Sequence, residues 1–310
     1  MPSDLTAGIE FNQDKLEDNM WGYNRTVDQK VNIGSAFLQN EWKNDHWGFL
    51  IGGRLDKHNL IDHVIFSPRA NLRYNPTENI NLRFSYSSGF RAPQAFDEDL
   101  HVENVGGNVA MVELADNLKE ERSQSLSASA DIYHRFGAFQ VNFLVEGFYT
   151  KLSDVFALTD GEVVDGILTR TRHNASGAQV LGLTLEGKMA YLNKIQVQAG
   201  VTLQQSHYSK PHIWNKEAPA VKKMMRTPNT YGYFTATYTP IKPLSIALSG
   251  TYTGSMLVPH EPVPGFLENP ITVNTKDFFD IGLKAAYDFK LYKSMNVQLY
   301  AGIQDIFNAL

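Results

Sequence analysis

The chain has 310 residues, no cysteine, and 28 Lys+Arg against 33 Asp+Glu, for a net charge of −5. That balance excludes a protein whose main partner is a nucleic-acid backbone, and the missing cysteines exclude disulfides, thiolate nucleophiles and zinc–thiolate sites. Hydrophobic residues make up 43%, yet no run approaches the roughly 18 consecutive apolar residues of a membrane helix, so helical membrane proteins are excluded as well. Met1-Pro2-Ser3-Asp4 opens without a basic stretch followed by an apolar one. The expectation is that the natural N-terminus lies further upstream.

Taken in chain order, period-two alternation predicts about thirteen strands, near residues 4–14, 30–43, 46–58, 66–75, 80–90, 120–135, 139–158, 162–191, 195–208, 227–240, 243–257, 276–290 and 295–306. The pattern is clearest where Ile195, Val197, Ala199, Val201 and Leu203 interleave with Gln196, Gln198, Gly200 and Thr202. It recurs where Phe279, Ile281, Leu283, Ala285, Tyr287 and Phe289 interleave with Asp280, Gly282, Lys284, Ala286, Asp288 and Lys290. Each such strand presents one greasy and one wet face, because successive side chains point to opposite sides. No helical period stands out.

The connections alternate in length. Asn44-Asp45, Asn75 to Asn79, Phe136-Gly137-Ala138, Leu192-Asn193-Lys194, Ile241-Lys242 and Leu291 to Ser294 are tight, whereas 15–29, 59–65, 91–119, 209–226 and 258–275 are long. Asp160-Gly161 alone breaks the alternation, as a two-residue turn signal within a long hairpin. Short turns on one side and long loops on the other describe an outer-membrane β-barrel. A soluble sandwich also alternates, but here Glu146, Glu186, Lys284 and Asp288 sit at the polar parity of strand middles, as a wet lumen requires. Tyr74, Phe136, Tyr191, Tyr238, Tyr287, Phe289 and Tyr292 cluster where strands meet the tight turns. Rings favour the headgroup level, although aromatics are common in strands of any kind.

Ser87-Ser88-Gly89-Phe90-Arg91-Ala92-Pro93 runs from a strand into the longest loop, and Asn117-Leu118-Lys119-Glu120-Glu121-Arg122 opens the next strand. These resemble the "GFRAP" sequence and the "NP(D/N)LKPE" box of the TonB-dependent outer-membrane receptors, the second shortened and lacking its prolines. Arg172-His173-Asn174-Ala175-Ser176-Gly177-Ala178 leading into Leu181-Gly182-Leu183-Thr184-Leu185-Glu186 resembles the family's "N…A…GxExE" strand. Arg226-Thr227-Pro228-Asn229 resembles its "RxP" strand start, and Ile303-Gln304-Asp305-Ile306-Phe307-Asn308 its penultimate "N(L/I)FN" strand. The resemblance implies an all-β fold: an antiparallel transmembrane barrel of about 22 strands, of which these thirteen would be the ninth to the twenty-first. The plug domain, the segment that contacts TonB, the first eight strands and the last would then lie outside this sequence, leaving residues 1–310 as one partial barrel domain. It also implies a bacterial outer-membrane location, contact with outer-membrane lipids, and energy-dependent uptake driven by the TonB complex.

Candidate ligand-binding residues follow from the loops. Arg91 stands at the mouth of the longest, though Pro93 beside it suits a plain strand exit. Asp97, Glu98 and His101 lie in that loop, which reads as a polar gate or simply as a solvated acidic segment. Haem receptors of the family can ligate iron through a histidine between the two boxes, so His101 is the metal-ligating candidate if the cargo is haem. Arg170, Arg172, Gln204 and Ser206 are read as lumen-facing polar residues at outer strand ends. The segment 205–226 adds Tyr208 and Trp214 among lysines, a mixture suited to an anionic, aromatic iron chelate or to an ordinary surface loop.

No G-x-S-x-G elbow, phosphate loop, H-E-x-x-H or EF-hand spacing is present, so no catalytic residues and no resident cofactor are expected. The expected activity is uptake of a scarce nutrient, foremost a ferric siderophore as an extracellular small-molecule chelate. The alternatives are haem or cobalamin uptake and a structural or adhesin-like barrel without transport.

Overall fold

A computed structural model describes the chain except for residues 24, 94–108, 165–166, 216, 261, 263–264, 293 and 308–310. Its strands are β1 (Ser3–Met20), β2 (Arg25–Lys43), β3 (Trp47–His58), β4 (Ile65–Thr77), β5 (Ile80–Arg91), β6 (Val109–Leu114), β7 (Glu121–Phe136), β8 (Phe139–Ser153), β9 (Phe156–Val164) and β10 (Ile167–Asn174). They continue with β11 (Ala178–Tyr191), β12 (Ile195–His212), β13 (Val221–Lys223), β14 (Thr230–Ile241), β15 (Leu244–Thr253), β16 (Leu257–His260), β17 (Ile271–Asn274), β18 (Phe278–Tyr292) and β19 (Met295–Ile303). No helix among the described residues is long and apolar enough to cross a membrane.

One 14-stranded sheet runs β1-β2-β3-β4-β5-β7-β8-β11-β12-β14-β15-β18-β19, with β13 beside β12. Every neighbouring pair on that path is antiparallel, for example β7 with β8 and β11 with β12. β1 and β19 do not pair with each other among the described residues, so the barrel is not closed. Two smaller sheets, β6-β10-β9 and β16-β17, are built from the long connections.

Register explains why alternation is so legible. Opposite residues share a face, and the pairs Glu146↔Thr184, Thr184↔Thr202, Thr202↔Tyr231 and Tyr231↔Thr253 carry one polar face across five strands. Glu186 and Lys284 lie on that same face, where Lys188 Nζ pairs with Glu186 Oε1 at 2.7 Å and the Tyr233 hydroxyl donates to Glu186. At the β1 end, Arg54 on β3 donates to Glu10 of β1 at 2.9 Å, to Ser35 of β2 at 2.8 Å and to its own strand's Asp56 at 2.7 Å, fastening three strands with one guanidinium. The opposite face is apolar. Leu38, Phe84, Leu126, Leu183, Leu203, Leu248 and Leu283 stand on it with substantial exposure.

The apolar face has a defined height. On β11 it runs from Leu181 to Tyr191 and gives way to Gln179; on β12 it runs from Ile195 to Leu203 and gives way to Gln205, His207 and Ser209. Such spans match the roughly 9–11 residues a tilted strand needs to cross a bilayer. At the tight-turn end, Trp47 stacks on Tyr74 at 4.2 Å and Phe139 meets Tyr191 at 4.6 Å, as do Tyr287 and Phe289. These rings form the belt anticipated from the sequence.

Several boundaries differ from the sequence reading. Residues 15–29 are mostly strand, because β1 and β2 stay paired from Ser3↔Trp42 to Met20↔Arg25. Asp160 and Gly161 lie inside β9 and do not form the hairpin turn. The expected strands 139–158 and 162–191 are broken instead, because Asp154 adopts φ 56° after β8 and diverts the chain into β9 and β10 before β11 begins. With that correction short and long connections alternate from β2 onward, while the β1–β2 connection, expected to be long, is only residues 21–24. The strand expected from 227 begins at Thr230, after Arg226 at φ 54°, and the last ends at Ile303, before Asp305 at φ 48°.

Candidate ligand-capture site

The long connections converge at the end of the sheet away from the aromatic belt. There β10 pairs in parallel with β6 and antiparallel with β9, raising a three-stranded sheet above β5, β7, β8 and β11. Its attachment uses the sequence segments that carry the family resemblance. Asn174 accepts from the Lys119 amide at 2.8 Å and donates to the carbonyls of Lys119 (3.0 Å) and Asp154 (2.8 Å). Glu121, opposite Arg91 in the β5–β7 register, accepts from the Phe156 amide at 3.0 Å. The guanidinium groups of Arg91 and Arg172 lie 5.4 and 5.7 Å from the Phe156 ring centre, within cation–π reach. Gly177 is dictated by backbone proximity: a Cβ there would sit 2.2 Å from the Leu152 carbonyl oxygen.

Glu120 makes a second attachment. Only 5% exposed, it pairs with Arg122 at 2.7 Å and with His63 Nε2 at 3.0 Å, joining the 59–64 connection to the start of β7. Burial pushes its carboxyl up, but the hydrogen bonds from Arg122 and His63 outweigh burial and hold it below the usual carboxylate range.

Between this small sheet and the extended end of β12 lies a cavity of about 450 Å³, its wall including Thr159, His173, Lys210, His212, Ile213 and Trp214. β12 outruns the apolar face by several residues, so Gln204, Ser206, Tyr208, Lys210 and His212 continue the polar parity of Gln198 and Thr202 above the bilayer. Tyr208 and His212 rings are 4.7 Å apart. Burial raises the Tyr208 hydroxyl's pKa, and burial followed by the nearby charge of His173 lowers that of the His212 imidazole. His173 Nδ1 lies 3.3 Å from Thr159 Oγ1, and the Trp214 indole N–H is buried without a partner among the described residues. The cavity thus offers a lysine, two imidazoles, an indole donor without a partner among the described residues, and apolar walls.

The candidates named from sequence separate accordingly. Trp214 lines the cavity, and Tyr208 supports it through His212. Gln204 stands on the same β12 face but donates to the Pro228 carbonyl at 2.9 Å, fixing the connection into β14. Arg170 and Arg172 are not on a barrel strand, contrary to the sequence reading; both belong to β10, and Arg172 is 1% exposed against Phe156. Arg91 also lies against that ring, 5.4 Å from its centre. Asp97, Glu98 and His101 lie outside the described residues. Among the described residues no three His, Asp or Glu side chains gather as a metal site. Lys210, His173 and His212 were missed as a group, although carrying the period-two count past Tyr208 would have aligned Lys210 and His212 with Gln204.

The family model described as TonB dependent receptor-like, beta-barrel, matches residues 2–306. The chain belongs to that family. Its polar face is therefore the barrel lumen, its apolar face meets lipid, and the protein is one of the outer-membrane barrels of Gram-negative bacteria. No curated protein sequence matches the chain. Solved structures share the fold at low identity. The siderophore receptor PirA from Acinetobacter baumannii is 15% identical with a TM-score of 0.69, over 99% of this chain and 48% of that one. The ferric enterobactin receptor PfeA from Pseudomonas aeruginosa is 17% identical with a TM-score of 0.68, over 98% and 46%. The FrpB iron transporter from Neisseria meningitidis is 15% identical with a TM-score of 0.69, over 99% and 49%. The chain thus spans about half the length of the solved structures it matches.

Proposed function

We propose that these residues form the barrel part of a longer receptor that captures a ferric siderophore at its outer mouth and imports it with energy relayed by the TonB complex. The observation that carries the reading is the cavity where Lys210, His173, His212 and Trp214 meet above the lumen face. A ferric catecholate is anionic and ring-bearing, so it gains from a lysine charge, from indole and imidazole faces, and from the unpaired indole N–H. Related structures described as siderophore, ferric enterobactin and iron receptors agree with that cargo class. Haem is the second reading, favoured by the paired imidazoles of His173 and His212, because imidazole is a sound axial ligand for haem iron.

The test is titration of the full-length receptor in detergent with ferric catecholates, ferric hydroxamates, haem and cobalamin, following tryptophan fluorescence. Saturable quenching by one ferric chelate, weakened about tenfold or more in Lys210→Ala and Trp214→Phe, supports the proposal. Tight haem binding lost in His212→Ala or His101→Ala replaces it with haem uptake, and silence across the panel refutes both.

A further inference from the structure

On the outward side of the barrel, just above the apolar height and toward the long connections, a row of polar residues crosses six strands. Register sets Ser88 of β5 opposite Gln124 of β7, Gln124 opposite Lys151 of β8 and Lys151 opposite Gln179 of β11. Gln179 in turn stands opposite His207 of β12, and His207 opposite Lys223 of β13. Opposite residues share a face, and that face also carries Leu126, Leu181, Leu183 and Leu203, which meet lipid immediately below the row. Gln124, Lys151 and Gln179 are exposed, and His207 and Lys223 are half-exposed. Tyr149, two residues below Lys151 on β8, donates its hydroxyl to Gln179 Oε1 at 3.4 Å. That is the pose of a ring at headgroup level, with its polar tip toward water.

Charge on this face is one-sided. The outward parity of β5, β7, β8, β11 and β12 contains no aspartate or glutamate at any height. Glu120, just before β7, is already answered by Arg122 and His63, and Asp154 lies past the end of β8. Neither Lys151 nor Lys223 has an ion pair among the described residues. β7, β8, β11 and β12 each have a hydrogen-bonded strand on either side, so whatever covers the row comes from the membrane side. From Lys151 to Lys223 the row spans three strand spacings, about 14 Å.

We propose that this row binds the phosphate-bearing headgroup of an outer-leaflet lipid, with Lys151 and Lys223 as its two charges and Gln124, Gln179 and His207 as hydrogen-bond donors beside them. An ammonium is a compact charge that meets phosphate from many directions, and carboxamide and imidazole N–H groups add neutral donors. Lysine stems lie well along apolar surface while their heads reach water, which suits a position directly above the leucines. The separation of the two lysines fits a headgroup carrying two phosphates on a sugar pair better than a single phosphodiester, and the acyl chains of such a lipid then run down Leu181, Leu183 and Leu203. The inference needs only the outward face of the barrel and is independent of the cargo taken by the outer cavity.

The experiment uses mass spectrometry of the intact full-length receptor released from detergent to measure its affinity for bisphosphorylated lipid A and for the same lipid with both phosphates removed, with inorganic phosphate as competitor. Wild type is compared with the double substitution Lys151→Gln, Lys223→Gln, with Lys151→Arg, and with Lys194→Gln, which removes a lysine from the tight turn between β11 and β12 at the other end of the sheet. Melting temperatures in lipid-free detergent report folding, and exposed substitutions of this kind should leave them nearly unchanged. The expected result is saturable binding that requires the phosphates, weakens about thirtyfold in the double variant, and survives in Lys151→Arg and Lys194→Gln. Equal affinity for the dephosphorylated lipid overturns the proposal, because acyl chains alone then account for binding. A comparable loss per lysine removed in Lys194→Gln overturns it in favour of net charge, and inorganic phosphate competing as tightly as the lipid overturns it in favour of a free-ion site.

Discussion

Replacing Asn174 by alanine removes three hydrogen bonds with one amide, two to the backbone of Lys119 and one to that of Asp154. Each is worth about 0.5–1.5 kcal/mol net. These bonds are solvent-accessible, so water recovers part of the loss, and about 2 kcal/mol of local stability is the expected total. That corresponds to roughly a thirtyfold increase in opening of the outer sheet. The effect stays local, because β7, β8 and β11 keep their own ladders over long registers. Hydrogen exchange in the full-length receptor should therefore accelerate at the amides of Lys119, Leu118, Ala115 and Ala175, while the global melting temperature moves little. Asn174→Asp preserves shape but turns both donors toward carbonyl oxygens as acceptors, and should be at least as disruptive. Unchanged exchange at residues 115–119 and 154–158, or a collapse of the whole barrel, would refute the reasoning that Asn174 is a hinge-point fastening.

Three other outcomes are expected. Gly177→Ala pushes a methyl into the Leu152 carbonyl, costing about 1–3 kcal/mol of strain, read as a lower midpoint for the outer rim in limited proteolysis; an unchanged digestion pattern contradicts the close approach. Leu183→Arg, on the lipid face, should cost about 2–4 kcal/mol in refolding titrations into bilayers, whereas Thr184→Arg beside it on the lumen face should cost far less; equal costs would mean that the faces are assigned wrongly. The His212 pKa is lowered in the folded protein, so as pH falls through the ordinary imidazole value of about 6.5 the unfolded chain takes the proton first and folded stability declines until His212 itself titrates. Protonated His212 adds a charge beside Lys210, so binding of an anionic chelate should strengthen on acidification, and His212→Gln should flatten both slopes when affinity and melting temperature are followed across that window.

The barrel strands were legible because each is judged by two solvents at once. Lipid on one side and water on the other force strict alternation, as in Ile195 to Leu203, and that signal is local in sequence. Its limit appears at β9 and β10. Both fall within ranges read as barrel strands, yet they pair with β6 above the rim, after the backbone turn at Asp154. The same limit governed the candidate residues. Arg172 carries the right chemistry for a lumen ligand, but the chain folds it against Phe156, whereas Lys210 and His212 are brought to the cavity only because β12 continues past the apolar face.

By itself, then, the sequence determined that this is an antiparallel membrane barrel, which parity faces water, where the tight turns fall and which family it resembles, since all of these follow from near-neighbour pattern and short motifs. Only the tertiary structure decided that Asn174, Glu121 and Arg91 belong to one fastening, that an outer cavity is shared between β10 and β12, and that Lys151 shares one row with His207 and Lys223. Those facts depend on register and on the path of the loops, which a slip of a single residue would rewrite and which no local pattern encodes.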